Sequence, residues 1–163
     1  PTLVQGGHTW ASISAGCSTT AGITTSGAAY GWGQNKYGQL GDGTTTQRWG
    51  PTEVSGGHSW ASISAGCEHT VGITTSGVAY AWGHNEHGEL GDGTTTDHWT
   101  PVQVSGGYTW ASISAGSSSI PSSHTVGITT SGEAYAWGYN HHGELGDGTT
   151  TDRWTPVLVG PHP

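Results

Sequence analysis

Residues 51–100 read PTEVSGGHSWASISAGCEHTVGITTSGVAYAWGHNEHGELGDGTTTDHWT, and this stretch decides the fold because close copies of it lie on either side. Trp10, Trp60 and Trp110 are spaced 50 and 50 residues apart; Trp32, Trp82 and Trp137 are spaced 50 and 55, as are Leu40, Leu90 and Leu145. The five extra residues fall in a Ser-rich passage of the third copy that holds Ile120 and Pro121. Within residues 51–100, Pro51 to Val54 is a short piece led by Pro, suited to a strand start or an edge. Trp60 to Ala65 alternates, with Ala61, Ile63 and Ala65 on one face and Trp60, Ser62 and Ser64 on the other. Thr70 to Thr74 and Val78 to Trp82 flank a Ser76-Gly77 turn, and Gly83 to Thr96 is loop by composition. Four short strands in about 50 residues is the cadence of a β-propeller blade. Small Ala, Ser and Gly suit the crowded part of such a ring, while Tyr80 and Trp82 add bulk where blades splay.

The predicted class is therefore all-β: propeller-type blades of four short antiparallel strands, three blades per chain, not self-closing. Residues 1–163 form one repeat domain, with blades at approximately 1–50, 51–100 and 101–155 and an extra C-terminal strand over 156–163. The Pro-x-x-Val piece occurs four times, at Pro1, Pro51, Pro101 and Pro156, so one is surplus. Propellers have about four to eight blades, so three cannot close a ring alone.

Composition narrows function. The chain has 3 Lys and Arg against 11 acids, a formal charge of -8. Nucleic-acid binding needs cations to neutralise phosphate, and a polybasic membrane patch needs the same. Both are excluded. No apolar run approaches the roughly 20 residues of a membrane span. Pro1 in place of Met points to a processed chain or an excerpt.

The ordered string G-x-x-W-x-x-I-S-A-G, then H-T-x-x-I-T-x-x-G-x-x-Y-x-W-G-x-N-x-x-G-x-L-G-x-G, then P-x-x-V, resembles the regulator of chromosome condensation repeat. The resemblance spans nearly the whole chain, three times over, with the first copy loosest because Thr19 stands where His69 and His124 stand later. It implies blades of a seven-bladed propeller family that includes a chromatin-bound exchange factor and a plant ultraviolet-B photoreceptor. Neither role follows. The only fixed cations are Lys36, Arg48 and Arg153. Cys67 and Glu68 stand where the photoreceptor segment needs Trp and Arg.

Several residues invite chemistry. Asn85, Glu89, Asp92 and Asp97, and in the third copy Asn140, Glu144, Asp147 and Asp152, collect oxygens that calcium uses. Turn chemistry explains the same Asp-Gly-Thr run, and the first copy replaces two of the set with Gln39 and Gln47. His84, His87 and His98, with His141 and His142, match no zinc spacing and read as solvated loop residues. His69 and His124 are expected to be buried and to donate to backbone carbonyls. Cys17 and Cys67 occupy equivalent positions in adjacent copies; a bridge is possible at short range, and free thiols are the favoured reading. No nucleophile elbow or recurring acid–base pair is present, so no enzyme and no cofactor are expected.

Trp49, Trp99 and Trp154 precede each Pro and either cap their own blade or offer a contact surface. With Ile120, Pro121, Val157 and Val159 they are the interface candidates. The function these features suggest is a non-catalytic assembly module that joins head to tail with itself into a ring or filament. Scarce Lys, abundant Gly, Ser, Thr and Trp, and the absent initiator Met suggest a place outside the cell. The alternative is a ligand-binding propeller that meets glycan or protein through its Trp loops.

Overall fold

The computed structural model describes Val4, residues 6–117 and residues 123–160. Ile120 and Pro121 lie outside the described residues, as does the rest of the Ser-rich insertion. Twelve strands and no helix occupy the described residues. The first sheet holds β1 (Trp10–Ala15), β2 (Thr19–Thr24), β3 (Ala29–Gly33) and β4 (Arg48–Glu53). The second holds β5 (Trp60–Ala65), β6 (His69–Thr74), β7 (Ala79–Gly83) and β8 (His98–Gln103). The third holds β9 (Trp110–Ala115), β10 (His124–Thr129), β11 (Ala134–Gly138) and β12 (Arg153–Leu158). Each is an antiparallel meander whose strands pair in chain order. The result is a row of three blades, open at both ends.

The expected blade boundaries shift by one strand. The Pro-x-x-Val piece closes the blade before it instead of opening the next, so the sheets run 10–53, 60–103 and 110–158. Pro51 is tolerated there because β4 is an outer edge strand, where a missing N–H breaks no ladder. Of the expected extra strand over 156–163, residues 156–158 belong to β12, paired to β11 through Tyr135↔Leu158 and Ala136↔Val157, and residues 161–163 lie outside the described residues. The fourth strand also begins earlier than the Pro, at Arg48, His98 or Arg153, and so includes the Trp.

Strict alternation also fails at one point. A β-bulge between Trp60 and Ser62 breaks the register of β5 against β6. An inserted residue flips what precedes it to the other face. Trp60 therefore shares a face with Ile63, where the alternation put it with Ser62 and Ser64. That face packs on the preceding blade's Ile23, Ala29 and Val54. The same joint recurs between the second and third blades, with Trp110 and Ile113 set on Ile73, Ala79 and Val104.

Near the centre, the turns after β1, β5 and β9 crowd together. A Cβ on Gly66 would sit 2.5 Å from the Gly116 carbonyl oxygen, so only glycine permits this approach. Cys17 and Cys67 lie beside it with Cα atoms 4.7 Å apart and are bridged. The favoured free thiols are thus corrected: inner strands of neighbouring blades come close enough to bring equivalent positions within bonding reach. Ser117, the third copy's equivalent, lies against both sulfurs through its carbonyl oxygen.

Candidate functional site

The loop between the third and fourth strands is where the candidate ligands sit, and each copy is organised around its Asn. Asn85 and Asn140 are fully buried. Asn140 Nδ2 donates to Asp147 Oδ1, to the Thr149 carbonyl at 3.2 Å and to the Thr151 carbonyl at 2.9 Å, while its Oδ1 accepts from Leu145 N at 3.0 Å. Asn35 and Asn85 repeat this set. The amide thus satisfies backbone groups that fold the loop back on itself. Asn140→Ala is expected to strand several of them at a buried site, where each unmet group costs about 1–3 kcal/mol. Urea unfolding should show a loss of about 2–4 kcal/mol on that scale; an unchanged midpoint would remove the Asn from this role.

The carboxylates are committed to the same scaffold. Asp92 Oδ1 accepts from Thr94 N and Thr94 Oγ1, both at 2.9 Å, and its Oδ2 lies 3.0 Å from His98 Nε2. In the other copies the cation is Arg: Arg48 on Asp42 and Arg153 on Asp147, each Nε at 2.7 Å. Burial works to raise the Asp147 pKa, but the bonds from Thr149 and Arg153 outweigh it and hold it at about 2. Asp97 and Asp152 each accept the backbone N–H of the loop Asn at 2.8 Å. Glu89 and Glu144 accept the N–H two residues earlier, from His87 at 2.9 Å and His142 at 2.8 Å.

Gln39 fills this last role in the first copy, accepting from Tyr37 N at 2.9 Å. That position needs an oxygen acceptor, not a charge. The calcium candidates Asn85, Glu89, Asp92, Asp97, Asn140, Glu144, Asp147 and Asp152 are therefore each turned to a backbone N–H or carbonyl, a hydroxyl or a cation. The structure brings Asn85 to Asp92 and Asn140 to Asp147, each through the amide Nδ2, and gathers no three of the acidic side chains around a common point. Of the loop histidines, His87 and His141 both face Asp152, while His84 and His98 face Glu89 and Asp92. His84 Nδ1 is 3.3 Å from Glu89 Oε1, off the line of an aligned hydrogen bond, and burial of the ring is outweighed by that carboxylate, so its pKa rises. His87 Nδ1 meets Asp152 Oδ2 at 2.7 Å across the blade boundary. Among the described residues no three His, Cys, Asp or Glu side chains group as a metal site.

His69 is fully buried, as expected, but its partners are hydroxyls of the next blade, not backbone carbonyls. Its Nε2 is 2.8 Å from Thr125 Oγ1 and its Nδ1 is 3.2 Å from Ser123 Oγ. The Thr125 hydroxyl gives its one proton to the Glu89 carbonyl at 2.7 Å, so Nε2 must be the donor and Nδ1 the acceptor. His124, the third copy's equivalent, has a buried Nδ1 with no partner among the described residues.

The Trp loops belong to the joints between blades. Trp99 lies over Gly38 of the preceding blade's loop and Trp154 over Gly88, leaving room only for hydrogen at either glycine. Their carbonyls accept from Gly43 N and Gly93 N at 2.9 Å. These two rings are 51% and 52% exposed, whereas Trp49 is 90% exposed. Val159 borders a hollow of about 380 Å³ on the outer face of the third blade with Ile128, Ala134 and Tyr135; Val157 is half-buried within β12. Ile13, Val126 and Ile128, which are not among the interface candidates, are exposed at 57%, 39% and 46%. Their signal was available: each is the outer-blade copy of a residue that the middle blade covers.

The profile described as the regulator of chromosome condensation (RCC1) repeat matches residues 26–73, 76–120 and 131–162. Human E3 ubiquitin-protein ligase HERC2 is 46% identical over 41 residues, which cover 25% of this chain and 1% of that protein. The crystal structure of human WBSCR16 superposes with a TM-score of 0.84 at 23% identity, covering 99% of this chain and 43% of that one. Prp20p from Saccharomyces cerevisiae, whose structure was reported with its binding properties to Gsp1p and histones, gives 0.81 at 21% identity, covering 93% and 38%. The chain thus spans less than half of each relative, and at these identities the solved structures show the fold alone.

Proposed function

This chain belongs to the regulator of chromosome condensation (RCC1) repeat family, and we propose that it is a non-catalytic protein-interaction module that assembles head to tail with copies of itself. Propeller repeats of this family make protein interaction the coarse reading. The observation that carries the finer one is the state of the outer blades. Ile73 is 3% exposed under the third blade, while its copy Ile128 is 46% exposed. Open rows with bare apolar faces and strand edges are what natural proteins pair or cover. A non-catalytic role is supported by loop carboxylates and amides that hold the loop itself. The Cys17–Cys67 bridge supports an oxidising place outside the cell. Glycan or protein contact through the Trp loops is the second reading, supported by the Trp49 ring at 90% exposure.

Sedimentation velocity over a rising concentration series tests the first reading. The weight-average mass is expected to climb above the 16.7 kDa of one chain. A single species of that mass throughout would end it, and a hit on a glycan array would then favour the second.

A further inference from the structure

The internal joints are made twice by equivalent groups, and the same groups stand a third time on the two outer faces. Trp60 fills a socket of Ile23, Ala29 and Val54; Trp110 fills one of Ile73, Ala79 and Val104. The third such socket is Ile128, Ala134 and Val159, which border the open hollow of about 380 Å³. At the opposite end, Trp10 is already in the seated arrangement. Its ring lies 5.5 Å from Trp32 at 51°, against 5.4 Å and 59° for Trp60 on Trp82 and 5.5 Å and 57° for Trp110 on Trp137. The loop clasp is split the same way. Trp99 covers Gly38 and Trp154 covers Gly88, yet no Trp covers Gly143, and Trp49 covers no glycine of a preceding blade.

From this correspondence we infer that the first blade of one copy docks on the third blade of another by repeating the internal joint, with Trp10 in the Ile128–Ala134–Val159 hollow and Trp49 laid over Gly143. This rests on the self-assembly reading above and names its contacts. The polar pattern extends with it. Trp60 N and Trp110 N donate to Gly27 and Gly77 carbonyls at 2.9 Å, and Thr125 Oγ1 donates to the Glu89 carbonyl. The matching groups across the new joint are Trp10 N on the Gly132 carbonyl and Thr20 Oγ1 on the Glu144 carbonyl. His124 would then meet Thr20 as His69 meets Thr125. The occupant is a second copy because the face it must match is the one this chain carries at its other end. Such a joint is heterologous, so each copy keeps one free face until a ring closes.

Two variants that block opposite ends give a test that folding defects cannot mimic. Trp49→Ala removes an exposed ring, and Ile128→Asp puts a charge on an exposed wall of the hollow. Each alone is expected to shift self-association to concentrations at least roughly tenfold higher, the loss expected of a central aromatic or apolar contact. Mixed in equal amounts, they are expected to form a discrete pair, because one retains a sound third blade and the other a sound first blade. Association of either variant at the parental concentration, or a mixture that pairs no better than its components, would overturn this joint. If the parent associates while the variants do too, the joint is wrong but self-assembly survives. A parent that stays monomeric removes both.

Discussion

Reduction of the Cys17–Cys67 bridge is expected to lower the stability of the folded chain by about 4 kcal/mol. The bridge closes a 50-residue loop, and the chain-entropy relation for a loop of that length gives about 4 kcal/mol at 25 °C. It ties the inner turn of the first blade to that of the second, where glycine already permits the closest backbone approach. Without it the first blade is held on by the Trp60 joint, the Trp99 clasp over Gly38 and the hydrogen bonds around them. Urea unfolding with and without dithiothreitol, and of the double variant Cys17→Ser with Cys67→Ser, measures the loss. Midpoints that coincide under all three conditions would show that the link constrains nothing in the unfolded chain.

Acid is the second large lever. Burial dominates the pKa of His69, lowering it from 6.5 to about 4 against the weaker pull of Glu89. The folded chain therefore binds this proton less readily than the unfolded chain. Stability is full above pH 6.5, falls as the pH drops from 6.5 towards 4, and stops changing from this source below that. A shift of this size corresponds to about 3 kcal/mol. His124, also lowered mainly by burial, adds to the slope, while His84, raised by Glu89 against its burial, opposes it. Below that window the lowered Asp42 and Asp147 extend the loss. The variant His69→Gln retains an amide donor for Thr125 and is expected to flatten the profile between pH 6.5 and 4, whatever its stability at neutral pH. Parallel profiles for parent and variant would transfer the effect to other groups.

The repeat was legible because its marks are local and periodic. Trp, Gly and Leu at fixed spacing carry both the blade count and the four-strand cadence. The phase was less so. Nothing in Pro51 to Val54 alone says which neighbour it pairs with, since an edge strand led by Pro fits either end of a sheet; pairing with Ala29–Gly33 decides it. The bulge at Trp60 escaped because alternation cannot register an inserted residue until the partner strand is in place. The loop carboxylates looked like ligands by composition, and only the directions of their oxygens show them turned to Thr94 N, Asn85 N and His87 N. The cysteine pairing was a matter of distance between chain segments 50 residues apart, which the copy-to-copy equivalence hinted at without fixing. Spacing alone groups Trp49 with Trp99 and Trp154. Its difference from them is one of position in the row.

Most contacts between blades run from one blade to the next, apart from the crowded turns near the centre. Each of the outer blades is supported mainly from one side, and the middle blade from both. β6 is buried along its whole length, while Val126 and Ile128 of β10 face outwards. Stability in such a row is close to a sum of blade and neighbour contributions. Unfolding therefore frays inward from the ends, and amide protons of β6 exchange last, because they open only when two joints have already come apart.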